Sequence, residues 1–474
     1  MHPNISLPEE FITSMAKILP DSTQLADFIA ACQRPLRKSI RVNTLKISVA
    51  EFCERGAEKH WQLSPVPWCE NGFWIEADES LVPLGNTAEH MAGLFYIQEA
   101  SSMMPVSALF MGNEQYDSVL DMAAAPGSKT TQIAALMDNA GVLVANEFSA
   151  SRVKVLHANI ERCGIRNAAL TNFDGCRYFG GWLPERFDAV LIDAPCSGEG
   201  TIRKDPDAMK NWSMDAIHSI ASTQKALIES AFQALKVGGT LVYSTCTLSL
   251  EENQQVCWHL KQTYGDAVSF ESLDNLFEQA SIALTEEGFL HIFPQMYDCE
   301  GFFVAKIRKL ASVPVPEVNK RLGKFPFNKA SLKQQSEIAE QLQKSLGIAL
   351  PSDSQVWLRD NDVWLFPQAL EPLLGELRFS RMGIKIAEAH KSGYRWQHQV
   401  ATCLASESTT HCVVLDTAQA REWFMGRDVR PEGQSGQGEV IVRYANDVIG
   451  LGKWVGNRVK NGLPRELVRD KNLF

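Results

Sequence analysis

Two cysteines in the middle of the chain have the sequence setting of reactive thiols. Cys196 lies in Asp-Ala-Pro-Cys-Ser-Gly and Cys246 in Tyr-Ser-Thr-Cys-Thr-Leu, and each closes a strand-like run. A thiolate that adds to a ring carbon must later be expelled, so a second group placed for that release makes turnover possible. The pair therefore suggests covalent catalysis with divided roles, which is what methylation of a pyrimidine carbon needs.

The segments that position these cysteines predict a parallel α/β sheet, because strand-like runs alternate with helical patterns. The predicted strands cover residues 118–122, 141–146, 168–172, 187–192 and 240–244. We expect Ser128 to cap the first helix, and Gly164 and Gly238-Gly239 to end the helices predicted over about 149–162 and about 223–235. Both cysteines follow neighbouring strands at their carboxyl ends, so both should face one crevice.

The first strand-to-helix turn, Asp121-Met-Ala-Ala-Ala-Pro-Gly-Ser-Lys-Thr130, lies where doubly wound sheets bind a nucleotide. It has neither the phosphate-loop nor the dinucleotide glycine pattern, which disfavours a pyrophosphate ligand. Glu147 follows the second strand, where an acid can hold ribose hydroxyls, and Asp174 follows the third and could reach an adenine amine. Helix capping or a solvated turn remains the alternative for both acids.

A ligand with an adenosine part, a charged amino-acid part and no phosphate fits this turn best. We therefore predict a binding site for S-adenosyl-L-methionine. The predicted cofactor residues are Ala123, Ala124, Ala125, Pro126, Gly127, Ser128, Lys129, Glu147, Asp174 and Asp193.

The sequence outside the five strands predicts further regions. Before them, a strand over 39–44, a helix from about Val49 and a strand over 72–75 leave room for a small α+β domain. After them, residues 289–293 and 302–306 should pair as a closing hairpin-like edge. The Val313-Pro-Val-Pro316 joint is typical of a linker, and beyond it short strands and turns continue to the C-terminus.

The charge pattern indicates a polyanionic partner despite a net charge of −10. Basic residues cluster over 34–46, over 301–344 and over 449–474, and a solvated surface is the alternative for each cluster. Phosphate contacts supply much of the affinity of nucleic-acid binders, so three clusters outside the predicted core favour RNA binding.

Cysteine usage and hydropathy limit the class of protein. Eleven cysteines without a Cys-x-x-Cys pair argue against a disulfide framework and against the strongest zinc pattern, and we expect no metal site. No stretch approaches the roughly 18 apolar residues of a membrane span, and the start of the chain lacks a signal pattern. We expect a cytoplasmic protein with no membrane association.

Five segments resemble RNA (cytosine-5)-methyltransferases of the Nol, Nop and Sun type. They occur in the family's order between about residues 35 and 310, and within the family the chain is most similar to bacterial members that act on small-subunit (16S) ribosomal RNA. The matching segments are Arg41-Val-Asn-Thr, Tyr96-Ile-Gln-Glu-Ala-Ser-Ser, the Asp121–Thr130 turn, Asp193-Ala-Pro-Cys-Ser-Gly and Tyr243-Ser-Thr-Cys-Thr.

The resemblance implies the fold class and the domains. The fold is α/β: a Rossmann-like class I methyltransferase core with a mostly parallel seven-stranded sheet, a small N-terminal α+β domain, and C-terminal α/β and PUA-like β domains. The implied boundaries are an RNA-binding region over 1–90, an S-adenosylmethionine-dependent methyltransferase domain over 91–310, a small domain over 317–375 and a PUA-like RNA-binding domain over 376–474.

The resemblance also implies the reaction, which is methylation of carbon 5 of a specific cytidine in the decoding region through a covalent adduct at carbon 6. It makes Cys246 the nucleophile and Cys196 the residue that assists release. Asp193 is expected to assist at ring nitrogen 3, and Lys129 is the cation expected nearby. The spacing of the two cysteines by itself leaves their order open.

The expected partner is ribosomal RNA, within the small ribosomal subunit, and the protein is expected to be a monomer. The turn Arg203-Lys-Asp-Pro206 could contact RNA phosphate or be a solvated turn, and Trp454 could belong to an RNA surface or to a core. Two other functions stay open, a methyltransferase for transfer RNA and a non-catalytic assembly factor.

Overall fold

The computed structural model of the protein describes residues 7–20, 24–205, 207–210, 212–318, 324–391, 393–406, 409–471 and 473–474. The N-terminal part combines helices with a four-stranded antiparallel sheet of order β2-β3-β1-β4. Its elements are α1 Glu9–Ile18, α2 Leu25–Cys32, β1 Ser39–Val42, α3 Val49–Glu58, β2 Gln62–Val66, β3 Cys69–Glu76, α4 Ala88–Met91 and β4 Phe95–Ile97. The predicted α+β character of this region is confirmed.

The central part is a large sheet with helices on both faces. Its helices and strands are α5 Met104–Leu109, β5 Ser118–Asp121, α6 Ser128–Leu136, β6 Val142–Asn146, α7 Ala150–Cys163, β7 Ala168–Thr171, α8 Phe179–Trp182, β8 Phe187–Asp193, α9 Met214–Ala234, β9 Leu235–Thr245, α10 Gln254–Tyr264, β10 Val268–Glu271, β11 Leu290–Ile292, α11 Pro294–Tyr297 and β12 Phe302–Lys309.

The strand order of this sheet is β10-β12-β9-β8-β5-β6-β7, with β5 to β9 parallel and β10 and β12 antiparallel. The predicted mostly parallel seven-stranded sheet is confirmed. Two short strands extend it to nine: β11 pairs with β12, and β16 (Arg381–Met382) from the C-terminal part pairs with β7. The β7 edge of the sheet therefore joins distant parts of the chain.

Several details of the predicted sheet are wrong. Ser128 does not cap α6, because the residue before the helix is Gly127, whose φ of 111° is left-handed. Helix α9 begins at Met214 behind a Ser213 cap, well before the predicted start. Gly238 and its neighbour lie inside β9, since that strand begins directly where α9 ends. The pair β11–β12 forms as predicted, but β10 also pairs with β12, so β12 is not an edge strand.

The C-terminal part forms two further sheets, of orders β13-β14-β15-β17-β18 and β19-β20-β21-β22. Their elements are β13 Asn328–Lys329, α12 Leu332–Leu346, β14 Ser354–Arg359, β15 Asp362–Pro367, β16, β17 Ile384–His390, β18 Gly393–Trp396, α13 His398–Leu404, β19 Cys412–Leu415, α14 Thr417–Phe424, β20 Gly436–Tyr444, β21 Asp447–Gly456 and β22 Arg458–Lys460. The sequence reading of strands and turns missed α12, although Ser331 and Gln334 form its capping box.

Many residues of the basic clusters lie inside the protein. Arg41 is buried and bonds Gln98 and Thr131, while the Lys46 ammonium bonds two backbone carbonyls. Lys306 and Lys309 are buried in β12. The clusters over 34–46 and 301–344 are thus only partly surface, because some of their cations are buried or bond the backbone of other segments. In the described part of the chain, no helix has the length and apolar character needed to cross a membrane.

Candidate active site

The two cysteines meet at the carboxyl ends of adjacent parallel strands. Cys246 directly follows β9, and Cys196 lies three residues beyond the end of β8. Their sulfur atoms are 3.1 Å apart, and both thiols are free and half-buried. The predicted shared crevice is therefore formed by the sheet itself.

A cavity of about 820 Å³ connects the cysteines with the cofactor turn. Seven of the predicted residues line it: Ala123, Ala125, Glu147, Asp174, Asp193, Cys196 and Cys246. The other five do not line it: Ala124, Pro126, Gly127, Ser128 and Lys129. Lys129 still reaches the site through its ammonium group, whereas Gly127 shapes the turn by its left-handed backbone.

Asp193 and Lys129 form an ion pair beside the cysteines. Lys129 Nζ donates to Asp193 Oδ2 at 2.7 Å, and its side chain is only 6% exposed against 33% for Asp193. The other Asp193 oxygen accepts from Ser244 Oγ at 3.0 Å, and Lys129 also donates to Ser102 Oγ at 2.7 Å. The carboxylate is held from both sides, while its exposed part faces the cavity.

The electrostatic surroundings of Cys196 favour its protonated form. The hydrogen bond with Cys246, burial, and the Glu252 and Asp193 carboxylates raise the pKa of the Cys196 thiol well above its ordinary value. A thiol that keeps its proton can donate it to a neighbouring sulfur.

A buried carboxylate, Glu252, ties the two cysteine loops together. Its Oε2 accepts from Ser197 N at 2.9 Å, and its Oε1 accepts from Thr247 Oγ1 at 3.3 Å. Ser197 follows Cys196 and Thr247 follows Cys246, and these two hydroxyls are 2.7 Å apart. One carboxylate therefore fixes both loops relative to each other.

Glu199 extends this buried network. It accepts from Thr247 Oγ1 at 3.0 Å, from Leu248 N at 3.1 Å and from Trp212 Nε1 at 2.6 Å, and burial raises its pKa. Sequence reasoning missed both Glu199 and Glu252. The available signal was an acid three residues after Cys196 and another six residues after Cys246.

The other end of the cavity has the groups that suit an adenosine. Glu147 is 5% exposed at the side chain, lines the cavity, and accepts from Ser149 N at 2.8 Å. Phe148 lines the same wall and is 75% exposed, which leaves a ring face open for a base. Arg152 pairs with Glu147 at 3.4 Å and bonds the carbonyl of Ala125. Sequence reasoning missed Phe148 and Arg152.

The three lining carboxylates, Glu147, Asp174 and Asp193, suit a cationic sulfonium and an amino group. Asp174 also accepts a hydrogen bond from Cys176 N at 3.0 Å. It therefore stabilises a turn, as its alternative interpretation predicted, and it also lines the cavity. The residues present therefore fit S-adenosylmethionine.

Asp121 lies buried beneath the cofactor turn, where its Oδ2 accepts from Thr130 Oγ1 at 2.6 Å. Burial raises the pKa of this carboxyl to about 7, against the opposing effects of Thr130 and Lys129. It supports the turn from below and does not line the cavity.

Arg203 and Trp454, two candidates for an RNA surface, are buried in the structure. Arg203 is buried, pairs with Asp298 at 2.8 Å and bonds the carbonyls of Arg34 and Pro35, so it is not free to contact phosphate. Of the same turn, Pro206 lies outside the described residues. Trp454 is 9% exposed and belongs to a core cluster.

The doubly wound sheet and its cavity define a class I methyltransferase that uses S-adenosylmethionine. A family model described as 16S rRNA methyltransferase RsmB/F matches residues 108–308, and others for the N-terminal, pre-PUA and PUA domains of methyltransferase F match 7–100, 327–404 and 410–469.

Ribosomal RNA small subunit methyltransferase F of Vibrio cholerae serotype O1 is 92% identical over 474 residues, covering 100% of both chains. The enzyme of that name from Vibrio parahaemolyticus is 73% identical over 479 residues, again covering 100% of both. A solved methyltransferase homologue from Pyrococcus horikoshii is 34% identical with a TM-score of 0.54, covering 64% of this chain and 100% of its own. The chain belongs to the family of ribosomal RNA small subunit methyltransferase F.

Proposed function

We propose that the protein methylates carbon 5 of one cytidine in the decoding region of small-subunit (16S) ribosomal RNA, through a covalent bond between a cysteine and carbon 6. The observation that carries the proposal is the 3.1 Å approach of the Cys196 and Cys246 sulfurs beside the Asp193–Lys129 ion pair. The names of the relatives support ribosomal RNA as the substrate.

Glu147, Phe148 and Asp174 would hold the adenosine part of S-adenosylmethionine, and Asp193 would face its charged end. When bound, the cofactor supplies an electrophilic methyl group. Carbon 5 of cytosine is too weak a nucleophile to take that group unaided, so the remaining chemistry must activate the base.

Cys246 forms the first bond, between its sulfur and carbon 6 of an unstacked cytosine, and its thiol proton passes to Asp193. The electron pair of the 5,6 double bond moves toward carbon 5, and a proton held between Asp193 and ring nitrogen 3 offsets the new charge. Lys129, 2.7 Å from Asp193, keeps that carboxyl in place. Carbon 5 then takes the methyl group and still carries its own proton.

Cys196 performs the release. Once the Cys246 sulfur is bound to carbon 6, it has no thiol proton, so the thiol–thiol hydrogen bond with Cys196 is gone. Cys196 then loses its proton to solvent and takes the proton from carbon 5. The sulfur–carbon bond breaks, the double bond returns, and Cys246 leaves as thiolate, which takes back the proton held between Asp193 and ring nitrogen 3.

The test uses Cys196→Ala and Cys246→Ala proteins with 16S ribosomal RNA and cofactor, run on a denaturing gel. The Cys196 variant should accumulate a covalent protein–RNA adduct, and the Cys246 variant should form none. The reverse pattern would exchange the two roles. Methylation of transfer RNA alone, or no methyl transfer by the wild type, would sink the proposal.

The organisation around this reaction is part of the proposal. We assign RNA binding to residues 1–90 and 376–474, methyl transfer to 91–310, and a separate small domain to 317–375. The protein would act as a cytoplasmic monomer on RNA within the small ribosomal subunit. Bisulfite sequencing of ribosomal RNA from a deletion strain would identify the cytidine.

A further inference from the structure

A second cavity lies where the C-terminal part joins the edge of the core sheet. It measures about 280 Å³ and is formed by residues 324–327, Arg359, Trp364, Gly375 and residues 377–382. The last two residues of that stretch are β16, which pairs with Leu170 and Ala169 of β7. We call this cavity the Phe325 pocket.

The walls of the Phe325 pocket are aromatic. Phe325, Phe327, Trp364 and Phe379 line it. Phe327 and Trp364 meet edge to face with centroids 5.7 Å apart, and Phe325 lies 5.5 Å from Phe327. These distances are contacts between rings of the wall, and the half-buried rings of Phe325 and Trp364 keep part of their surface free to stack on a planar ligand.

The rim of the Phe325 pocket is positively charged. Lys324, Arg359, Arg378 and Arg381 line it and are exposed, whereas no acidic residue of the described chain lines it. Asp360 contacts Arg359 from outside the lining, at 3.9 Å. Arg359 also lies 5.6 Å from the Phe327 ring centroid. The chain as a whole carries a net charge of −10, so this local excess of cations differs in sign from the average of the protein.

One polar atom of the wall lacks a partner. Trp364 Nε1 is buried and makes no hydrogen bond within the described part of the protein. A buried donor without an acceptor costs free energy, and a ligand that brings a carbonyl or ring nitrogen can remove that cost.

We propose that the Phe325 pocket binds an unstacked nucleotide of the RNA substrate, with its base stacked on the aromatic side chains and its two flanking phosphates at the cations. This inference rests on the proposed function for the identity of the RNA. Single-stranded RNA is recognised by stacking of splayed bases on aromatic rings and by cations that follow the backbone. The volume, just below the roughly 300 Å³ minimum of drug-sized sites, suits one base.

The first test compares binding of a 16S ribosomal RNA transcript to full-length variants. Phe325→Leu keeps apolar volume but removes the flat ring, so the Kd should rise at least about fivefold. Lys324→Ala/Arg381→Ala should lower the slope of log affinity against log salt by about 1.4, the value for two single-strand phosphate contacts.

The matched control is Lys333→Ala/Lys344→Ala, which removes the same charge from exposed positions of α12. It should leave the Kd at the wild-type value. Cofactor affinity and Tm report the fold of every variant, and both should stay unchanged. Equal Kd values for wild type and Phe325→Leu would overturn the proposal. A loss of affinity seen only with assembled ribosomal subunits would also overturn it, because that result would indicate that a protein occupies the pocket.

The second test is ultraviolet crosslinking of the transcript to the intact protein, followed by trypsin and mass spectrometry. Nucleotide adducts should appear on the peptides 325–329 and 360–378, which contain Phe325 and Trp364. Adducts confined to other peptides would contradict the pocket. Neither test needs methyl transfer, so the pocket can be judged even where the proposed methylation fails.

Discussion

The cysteine end and the adenosine end of the large cavity are built differently. Around the cysteines, Glu252 and Glu199 are buried and bonded to hydroxyls and amides of both loops. At the adenosine end, Phe148 is 75% exposed and Glu147 has few fixed partners. Reacting atoms must be held within fractions of an ångström, while a cofactor must enter and leave each cycle. The difference therefore separates a prebuilt chemical site from an open binding site.

Of the variants considered, Glu252→Gln should have the largest effect, because it disturbs the cysteine end of the cavity. The amide replaces one acceptor oxygen by a donor, so the loops shift and kcat should fall about 10- to 100-fold, the cost of a misplacement near 1 Å. Loss of the negative charge also lowers the pKa of Cys196, so the limb of the pH–kcat profile that reports this thiol should move to lower pH.

The cofactor Kd of Glu252→Gln should stay unchanged, as measured by calorimetry. Glu251→Gln is the matched control, because Glu251 forms no hydrogen bond or ion pair within the described residues. A variant with lower kcat but an unmoved pH profile would mean that Glu252 acts on structure alone.

Glu147→Ala should affect the opposite end. Hydrogen bonds to a charged group contribute about 1.5–3 kcal/mol, so cofactor Kd should rise about 10- to 150-fold. At saturating cofactor, kcat should recover, because the cysteine network is untouched. Isothermal titration and steady-state kinetics separate these quantities. A kcat that stays low at saturation would show that the two ends are coupled.

Phe148→Ala is a milder test of the same end. Stacking contributes about 0.5–1.5 kcal/mol beyond area, which corresponds to a two- to twelvefold higher cofactor Kd. Tm should not change, since the ring is 75% exposed. The control variant is Trp258→Ala, because Trp258 is 42% exposed and does not line the cavity. Equal Kd values for both variants would place the adenine elsewhere.

Glu300→Gln should have the smallest effect, on stability beside the cysteine loops. Burial and then the Glu99 carboxylate raise the pKa of Glu300 to about 8. A raised folded-state pKa gives stability that is complete below the unfolded value of about 4.3 and is lost as pH rises toward 8. The Tm difference, variant minus wild type, should therefore become more positive from pH 5 to pH 8.

Exposed Glu286 gives the control variant Glu286→Gln for that experiment. Thermal denaturation at several pH values measures both variants. A Tm difference that stays constant with pH would show that Glu300 does not gain its proton on folding.

The limits of sequence reasoning follow the separation of contacts along the chain. Both cysteines were placed correctly, because strand ends and turns are local patterns. The burial of Arg203 was not predicted, because its partners Asp298 and the Arg34 carbonyl are 95 and 169 residues away along the chain. Glu252 was missed for a related reason: six residues from Cys246, it acts on the other cysteine loop, 55 residues back at Ser197.

By itself the sequence determined the alternating strands, the turn at Gly127 and the two cysteine motifs, because periodicity and short motifs act within a few residues. Tertiary structure alone decided which cations are buried, as with Arg41 and Lys306, and which carboxylates hold the reacting loops. It also brought Phe325, Trp364 and Arg381 around one pocket. Burial and charge pairing depend on how distant segments pack, and no local pattern records that packing.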